Sequence, residues 1–287
     1  MQITDNAMPQ QKSSSSAGKL TLEAKHWSLD TETIALREID FFVCSAEITA
    51  LIGPNGAGKS TLLRAIAGDF DQLSSWKKQS GVLQWLGSSM VEKRPAAFRK
   101  KVAVMTQHSQ LNFPFLVKEV VAMGRMPHDT GADVDTKVVD IIVQALDLLS
   151  LADKAYTSLS GGEKQRVQFA RALAQLVTEP LDRLDAADFS DKLLILDEPF
   201  SAQDLKYQAL MKKCLAKLKQ NGLAVIVVLH DISIAFELAD RTIGLQAGRQ
   251  VFYGDSADVL QEKNLSSLFD VSVRSANLND QRLFTIS

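Results

Sequence analysis

The run Gly53-Pro54-Asn55-Gly56-Ala57-Gly58-Lys59-Ser60-Thr61 has the spacing G-x-x-x-x-G-K-[ST], and these residue types suit one task, the holding of phosphate groups. The glycines let backbone N–H groups converge on phosphate oxygens, and a helix beginning at Lys59 would add its positive end. Lys59 would reach the β and γ phosphates and Ser60 would supply a Mg²⁺ ligand. A glycine-rich turn that only joined a strand to a helix would have little use for Lys59-Ser60. A second candidate is Leu193 to Pro199, an apolar run that ends in two adjacent carboxylates, Asp197 and Glu198. Successive strand residues point to opposite sides, so the two cannot share a job. Asp197 is expected to help hold Mg²⁺, directly or through water, and Glu198 to polarise an attacking water as general base. An acidic pair after a strand could also cap a helix, but the upstream phosphate loop favours the metal-and-water chemistry. The third candidate is Ser160-Gly161-Gly162-Glu163. Ser160 and Glu163 fit a capping box at a helix start. Capping leaves the glycines unexplained, since each costs about 1 kcal/mol relative to Ala in a helix interior; close approach of another molecule to the backbone would explain them.

These groups need elements to position them. From Leu20 to Ile52 short apolar runs, broken at 28–33 and 45–47, predict antiparallel strands ending in a buried strand over 48–52 that feeds the Gly53 loop. Leu62, Leu63, Ile66 and Ala67 recur at helical spacing and Gly68 stops that helix. Strand, glycine loop and helix are the setting that the phosphate loop requires. Further strands are predicted at 81–86, 101–106, 192–196 and 223–229, and helices at 117–123, 134–148, 163–176 and 204–219. The acidic stretch 180–191 reads as a solvated surface loop. Two short strands are expected around Ala247-Gly248, followed by helical turns and a tail without a clear pattern. Strands alternating with helices imply an α/β fold with a largely parallel sheet covered on both faces.

Composition removes several classes of function. The 287 residues can bury a sizeable core. Lys plus Arg (32) nearly balances Asp plus Glu (34), for a formal charge of −2, so no global field draws the chain to nucleic acid. The longest uninterrupted apolar run, Leu223 to Leu229, falls far short of the roughly 18 to 20 residues that span a bilayer. If a membrane is involved, another chain crosses it. Cys44 and Cys214 stand far apart, outside any CxxC or Cys/His cluster, which argues for packing and against zinc or a disulfide. Residues 1–19 are polar and read as a flexible tail rather than a secretory signal.

In this order, the phosphate loop, Leu159-Ser160-Gly161-Gly162-Glu163 and Asp197-Glu198 resemble the ATP-binding cassette family. The resemblance covers roughly Leu20 to Gly254. It implies a P-loop NTPase core with N-terminal antiparallel strands, an inserted α-helical subdomain, and ATP with Mg²⁺ as the bound species. Two copies would close head to tail, each ATP held by Gly53 to Thr61 of one copy and by Ser160, Gly161 and Gly162 of the other. Gln107 matches the family's glutamine that senses Mg²⁺ and water, and His230 its switch histidine at the γ-phosphate. Ser201-Ala202-Gln203-Asp204 resembles the loop that crosses the dimer interface, with Gln203 where leucine is usual and Phe200 where Thr or Ser is common. Asp30, with Trp27 nearby, falls where many members stack an aromatic ring on adenine, so the adenine contact stays unassigned.

The implied division is a tail (1–19), a nucleotide-binding core in two parts (20–106 and 192–254), a helical subdomain (107–178), an acidic insert (179–191) and a C-terminal extension (255–287). Asn112 to His128, and Ala170 to Leu176 followed by the acidic insert, are similar to the ATPases of hemin importers; the related importers of ferric siderophores and cobalamin are the alternative. The implied partners are a transmembrane permease dimer, docked in a groove along 107–128, and indirectly a periplasmic binding protein. The implied location is the cytoplasmic face of the inner membrane. From a different class, a non-transport cassette such as a cluster-assembly ATPase would share the ATP motifs but lacks the Phe113-Pro114-Phe115 segment.

Overall fold

The computed structural model describes residues 18–31, 35–68, 78–90, 98–106, 111–178, 183–201, 203–278 and 281–286. In chain order the strands are β1 (Leu20–Asp30), β2 (Ala35–Cys44), β3 (Ile48–Ile52), β4 (Lys78–Trp85), β5 (Ser88–Ser89), β6 (Val102–Met105), β7 (Leu193–Asp197), β8 (Ala224–Val228), β9 (Arg241–Gln246), β10 (Arg249–Asp255), β11 (Val273–Leu278) and β12 (Gln281–Ile286). The helices are α1 (Lys59–Ala67), α2 (Phe98–Lys101), α3 (Val117–Ala122), α4 (Ala132–Ala145), α5 (Gly161–Leu176), α6 (Leu205–Gln220), α7 (Ile232–Leu238), α8 (Ser256–Val259) and α9 (Glu262–Phe269).

Among the described residues, ten strands form one sheet in the order β5-β4-β1-β2-β10-β9-β3-β8-β7-β6. Its half from β9 to β6 is parallel, with β3 between β8 and β9 and β7 between β8 and β6. All five residues of β3 and of β8 are buried. Alternate residues feed opposite cores: Ile48, Ala50 and Ile52 join the cluster under the helical lobe, whereas Leu51 joins the cluster around α1 and the N-terminal strands. Burial on both faces is why these strands read as continuous apolar runs. The N-terminal strands are antiparallel, as expected, with β1 pairing β2 and β4. The fold is the expected α/β class.

Val117, Val120 and Val121 of α3, Ile142 of α4 and Leu173 of α5 pack as one apolar centre, which accounts for the helical period in this part of the chain. Gly124 is needed because a Cβ there would lie 2.2 Å from the Arg171 carbonyl oxygen. Next to it, buried Arg125 donates to the carbonyl oxygens of Ala174, at 2.8 Å, and Val177, and its Nε meets Asp135 at 2.8 Å. It thereby serves carbonyls at the C-terminal end of α5 that have no intrahelical partner.

Two stretches differ from expectation. Leu184, Ala187 and Phe189, in the acidic stretch, are buried, and Phe189 N donates to the Asn221 carbonyl at 2.9 Å. This stretch is anchored rather than solvated throughout; three apolar side chains without periodicity carry no signal that reveals such an anchor. Beyond the two strands around Ala247-Gly248 the expected helical turns are α8 and α9, and the tail, patternless as sequence, forms a hairpin of β11 with β12. Both cysteines are free, Cys44 buried in β2 and Cys214 partly buried in α6, where burial pushes its thiol up to about 12. No described helix is long and apolar enough to cross a membrane.

Candidate nucleotide site

The phosphate loop bridges the end of β3 and the start of α1, and its glycines answer three geometric demands. Gly53 has φ 153° and a Cβ there would lie 2.0 Å from the Leu245 carbonyl oxygen; Gly56 and Gly58 have φ 77° and 101°. Gly58, left-handed, is the residue before α1, and no side chain caps that helix. Its first amide groups therefore have no side-chain acceptor, which leaves the positive helix end to an anion. Lys59 is buried and folds back on its own loop, donating to the carbonyl oxygens of Gly53 at 2.7 Å and Pro54 at 3.0 Å. Burial pushes its ammonium pKa down, and the nearby carboxylates of Glu198 and Asp197 pull the other way. Asn55, Gly56 and Ser60 are exposed on the open side of the loop.

Strand β7 brings Asp197 and Glu198 to the same end of the sheet. Burial raises the Asp197 carboxyl, with Glu198 adding to the rise, while Lys59 and a hydrogen bond from the Ser60 side chain oppose it. Asp197 Oδ1 is buried without a hydrogen-bond partner. A buried, unserved carboxylate oxygen beside a hydroxyl is the donor chemistry that a hard divalent cation takes. Among the described residues no cluster of three His, Cys, Asp or Glu could hold a metal by itself.

Glu198 turns away from Asp197 through a left-handed backbone, φ 52°. Such a conformation in a non-glycine residue costs about 1–3 kcal/mol and persists where neighbours over-determine it. The neighbours are visible. The Glu198 carbonyl accepts from Ser201 N at 3.3 Å and from Ser201 Oγ at 3.1 Å, and Ser201 Oγ in turn accepts from Gln165 Nε2 at 2.9 Å. The carboxylate meets His230 Nε2 at 2.5 Å. His230 follows β8, and the next residue, Asp231, caps α7 by accepting from Ser233 N at 2.8 Å and Ile234 N at 3.2 Å.

The structure thus brings Lys59, Ser60, Asp197, Glu198 and His230 together. Ser160 lies elsewhere, in a complete capping box: Ser160 N and Oγ both donate to Glu163 Oε2 at 2.8 Å, and Glu163 N donates to Ser160 Oγ at 3.3 Å. These hydrogen bonds hold the Glu163 carboxyl below its usual range. Ser160 and Gly161 are exposed, open to an incoming molecule at the N-terminus of the 16-residue helix α5. Gln107 lies outside the described residues. Trp27 is fully buried, so it does not offer a face to adenine, and Asp30 is paired with Arg37. Phe113 is 70% exposed and Met126 82% exposed, which excludes core packing for Phe113.

Two contributors were not visible as sequence. Gln165 and Ser201 are 36 residues apart, and only the packing of α5 against the turn after β7 joins them. Arg166 of α5 also meets Tyr207 of α6, the guanidinium lying 3.5 Å from the ring centroid.

The family model described as ABC transporter matches residues 36–179. The chain belongs to the ABC transporter family. It is 37% identical over 238 residues to the hemin import ATP-binding protein HmuV of Plesiomonas shigelloides, a match covering 82% of this chain and 88% of the relative. It is 35% identical over 261 residues to the protein of that name from Rhodopseudomonas palustris, covering 90% of each. Among solved structures, a transporter described as of metal-chelate ABC type, in an inward-facing conformation, superposes with a TM-score of 0.73 at 24% identity, over 94% of this chain and 97% of that one. That likeness speaks for the fold. As an ABC transporter ATPase the chain uses nucleotide and couples its hydrolysis to transport.

Proposed function

We propose that this ATPase energises hemin import from the cytoplasmic face of the inner membrane, as a peripheral subunit on a transmembrane permease dimer that receives cargo from a periplasmic binding protein. The observation that carries the motor assignment is the Glu198–His230 contact at the sheet end that also holds Lys59 and Asp197. The hemin assignment is supported by the relatives' names and by identities of 35–37% over most of the chain.

In the proposed reaction Lys59 leaves the Gly53 and Pro54 carbonyls for the β and γ phosphates, to which the glycine loop presents its N–H groups. Ser60 and Asp197, with Gln107, would hold Mg²⁺, which supplies neutralisation of phosphate charge. Glu198 accepts a proton from water as the water oxygen bonds to the γ phosphorus and the bond from that phosphorus to the β–γ bridging oxygen breaks, leaving ADP and phosphate. His230 fixes the direction of the Glu198 carboxylate and stands at the γ-phosphate side. The Ser160-Gly161-Gly162 start of α5, exposed at its first two residues, completes the site of a second copy, where its N–H groups and helix dipole favour phosphate. The segment with exposed Phe113 and Met126 receives the permease.

The test is ATP-dependent uptake in vesicles carrying the co-purified permease, with hemin, cobalamin and a ferric siderophore compared. Hemin uptake that exceeds the other two supports the assignment. Uptake of cobalamin or siderophore without hemin overturns the cargo, and ATPase activity that associates with no permease overturns transport.

A further inference from the structure

No motif covers the end of the chain, yet it packs on the helix that follows His230. The hairpin of β11 and β12 pairs from Val273↔Ile286 to Leu278↔Gln281. From β12, the Phe284 ring sits edge-on to Phe236 of α7, with centroids 6.0 Å apart. The Arg282 guanidinium lies 5.6 Å from the Phe236 centroid and 5.4 Å from that of Phe284. Its Nη2 also donates to Gln261 Oε1 at 2.9 Å and to Ser275 Oγ at 3.2 Å. One side chain therefore joins α7, both hairpin strands and the residue preceding α9.

Helix α7 needs such support. It has seven residues, of which Ala235 alone is fully buried. So short a helix is marginal by itself, as is an isolated two-stranded hairpin; Ile232, Ile234, Phe236 and Leu238 of α7 and Phe284 of the hairpin are only partly buried against the main core, and the Phe236–Phe284 contact ties the two together. A further tie of α7, the Lys212–Glu237 ion pair at 2.5 Å, leaves Glu237 half exposed, and such surface pairs contribute little. The first turn of α7 is fixed to Asp231, and His230 directly precedes that cap. A tilt of α7 would carry the imidazole away from a carboxylate that it now meets at 2.5 Å.

We propose that Arg282 is a positioning residue for ATP hydrolysis, stacking Phe236 and Phe284 together and setting, through α7, where His230 stands beside Glu198. The proposal rests on His230 and Glu198 acting in hydrolysis. A lysine would keep the charge but not the flat, multiply donating group that faces two rings and two oxygens, so Arg282→Lys restores only part of the effect.

The experiment measures kcat and KM for ATP with full-length Arg282→Ala and Arg282→Lys, each in wild-type and His230→Gln backgrounds. It is paired with an imidazole NMR titration of His230, assigned among the four histidines by substitution. A misplacement of about 1 Å can cost about a hundredfold in rate, and Arg282→Ala, which loosens α7 without removing it, is expected to lose about tenfold in kcat with KM changed by no more than roughly twofold. The Lys variant should fall between, the loss should vanish in the His230→Gln background, and the His230 titration midpoint should move. Equal losses in both backgrounds with an unmoved titration would overturn the proposal while leaving His230 in its role. Full activity of His230→Gln would instead remove the underlying role, and the titration would still report whether Arg282 sets the imidazole's surroundings. If Arg282→Ala does not fold, Arg282→Lys and Phe284→Leu are measured in its place, and a kcat loss that persists in the His230→Gln background with an unmoved titration again overturns the proposal.

Discussion

Strand β3 has a charged cluster at each end, and the two are built in opposite ways. At its start, Arg241 meets Glu47 and Asp255, each at 3.3 Å, and lies 4.7 Å from the Phe42 ring centroid. Asp240 accepts from Ile48 N at 2.8 Å and pairs with Lys219 at 2.5 Å. Each of these charges already has its partner within the fold. At the other end, Lys59 is held by the backbone of its own loop, Asp197 Oδ1 is buried without a partner, and Glu198 stands on a left-handed backbone. The charges that tie elements of the fold together are paired, whereas those of the candidate nucleotide site are left able to exchange partners. The difference separates the two clusters by physical criteria, since both contain partly buried carboxylates with raised pKa values.

Substitutions can break or sharpen that contrast. The largest effect is expected for Glu198→Gln, which removes the proposed base and should lower kcat by about 10²–10⁴ with ATP binding retained. Next is Lys59→Ala. Losing a charged hydrogen-bonding partner of phosphate should weaken ATP binding by about tenfold to a hundredfold, measured by equilibrium titration with a fluorescent nucleotide. A smaller effect follows at the joint between α5 and the turn after β7. Gln165→Ala frees Ser201 and leaves about 1 kcal/mol of the Glu198 backbone strain unheld, so steady-state assays should show kcat lower by roughly fivefold with affinity intact.

At the opposite end the effect is on stability alone, and its sign follows from the pKa. Burial lifts Glu47 from 4.5 to about 7; Arg241 opposes the rise, and Asp240 and Asp255 add to it. Between those values the folded chain binds more protons than the unfolded one, so stability falls as pH rises from about 4.5 to 7 and the full cost is present above 7. Glu47→Gln cannot lose that proton. Its unfolding free energy relative to the wild type should therefore rise with pH across this window, by no more than about 3 kcal/mol; denaturant titrations at pH 5 and pH 8 would measure it.

The nucleotide end was legible because its chemistry is written locally. The glycines, Lys59 and Ser60 are contiguous, and β3, β7 and β8 are buried on both faces, so their apolar runs and the acidic pair at the end of β7 announce themselves. The supports of that site were not legible. Gln165 and Ser201 meet across 36 residues, and Arg282 meets Phe236 across a stretch with no periodic pattern. Ser160 read two ways as sequence, and in this single chain its capping box is complete. The adenine contact is unassigned in the sequence, and the burial of nearby Trp27 is a property that residue type does not show.

The contrast between the two ends of β3 is tested most directly by comparing Glu198→Gln and Glu47→Gln in one experiment at neutral pH, with ATP binding and steady-state hydrolysis measured on the same samples. Glu198→Gln is expected to bind ATP with wild-type affinity and to lose at least about a hundredfold in turnover, while Glu47→Gln keeps turnover within roughly twofold. Substantial hydrolysis by Glu198→Gln, or equal losses in the two variants, would contradict the division between a reactive and a stabilising end.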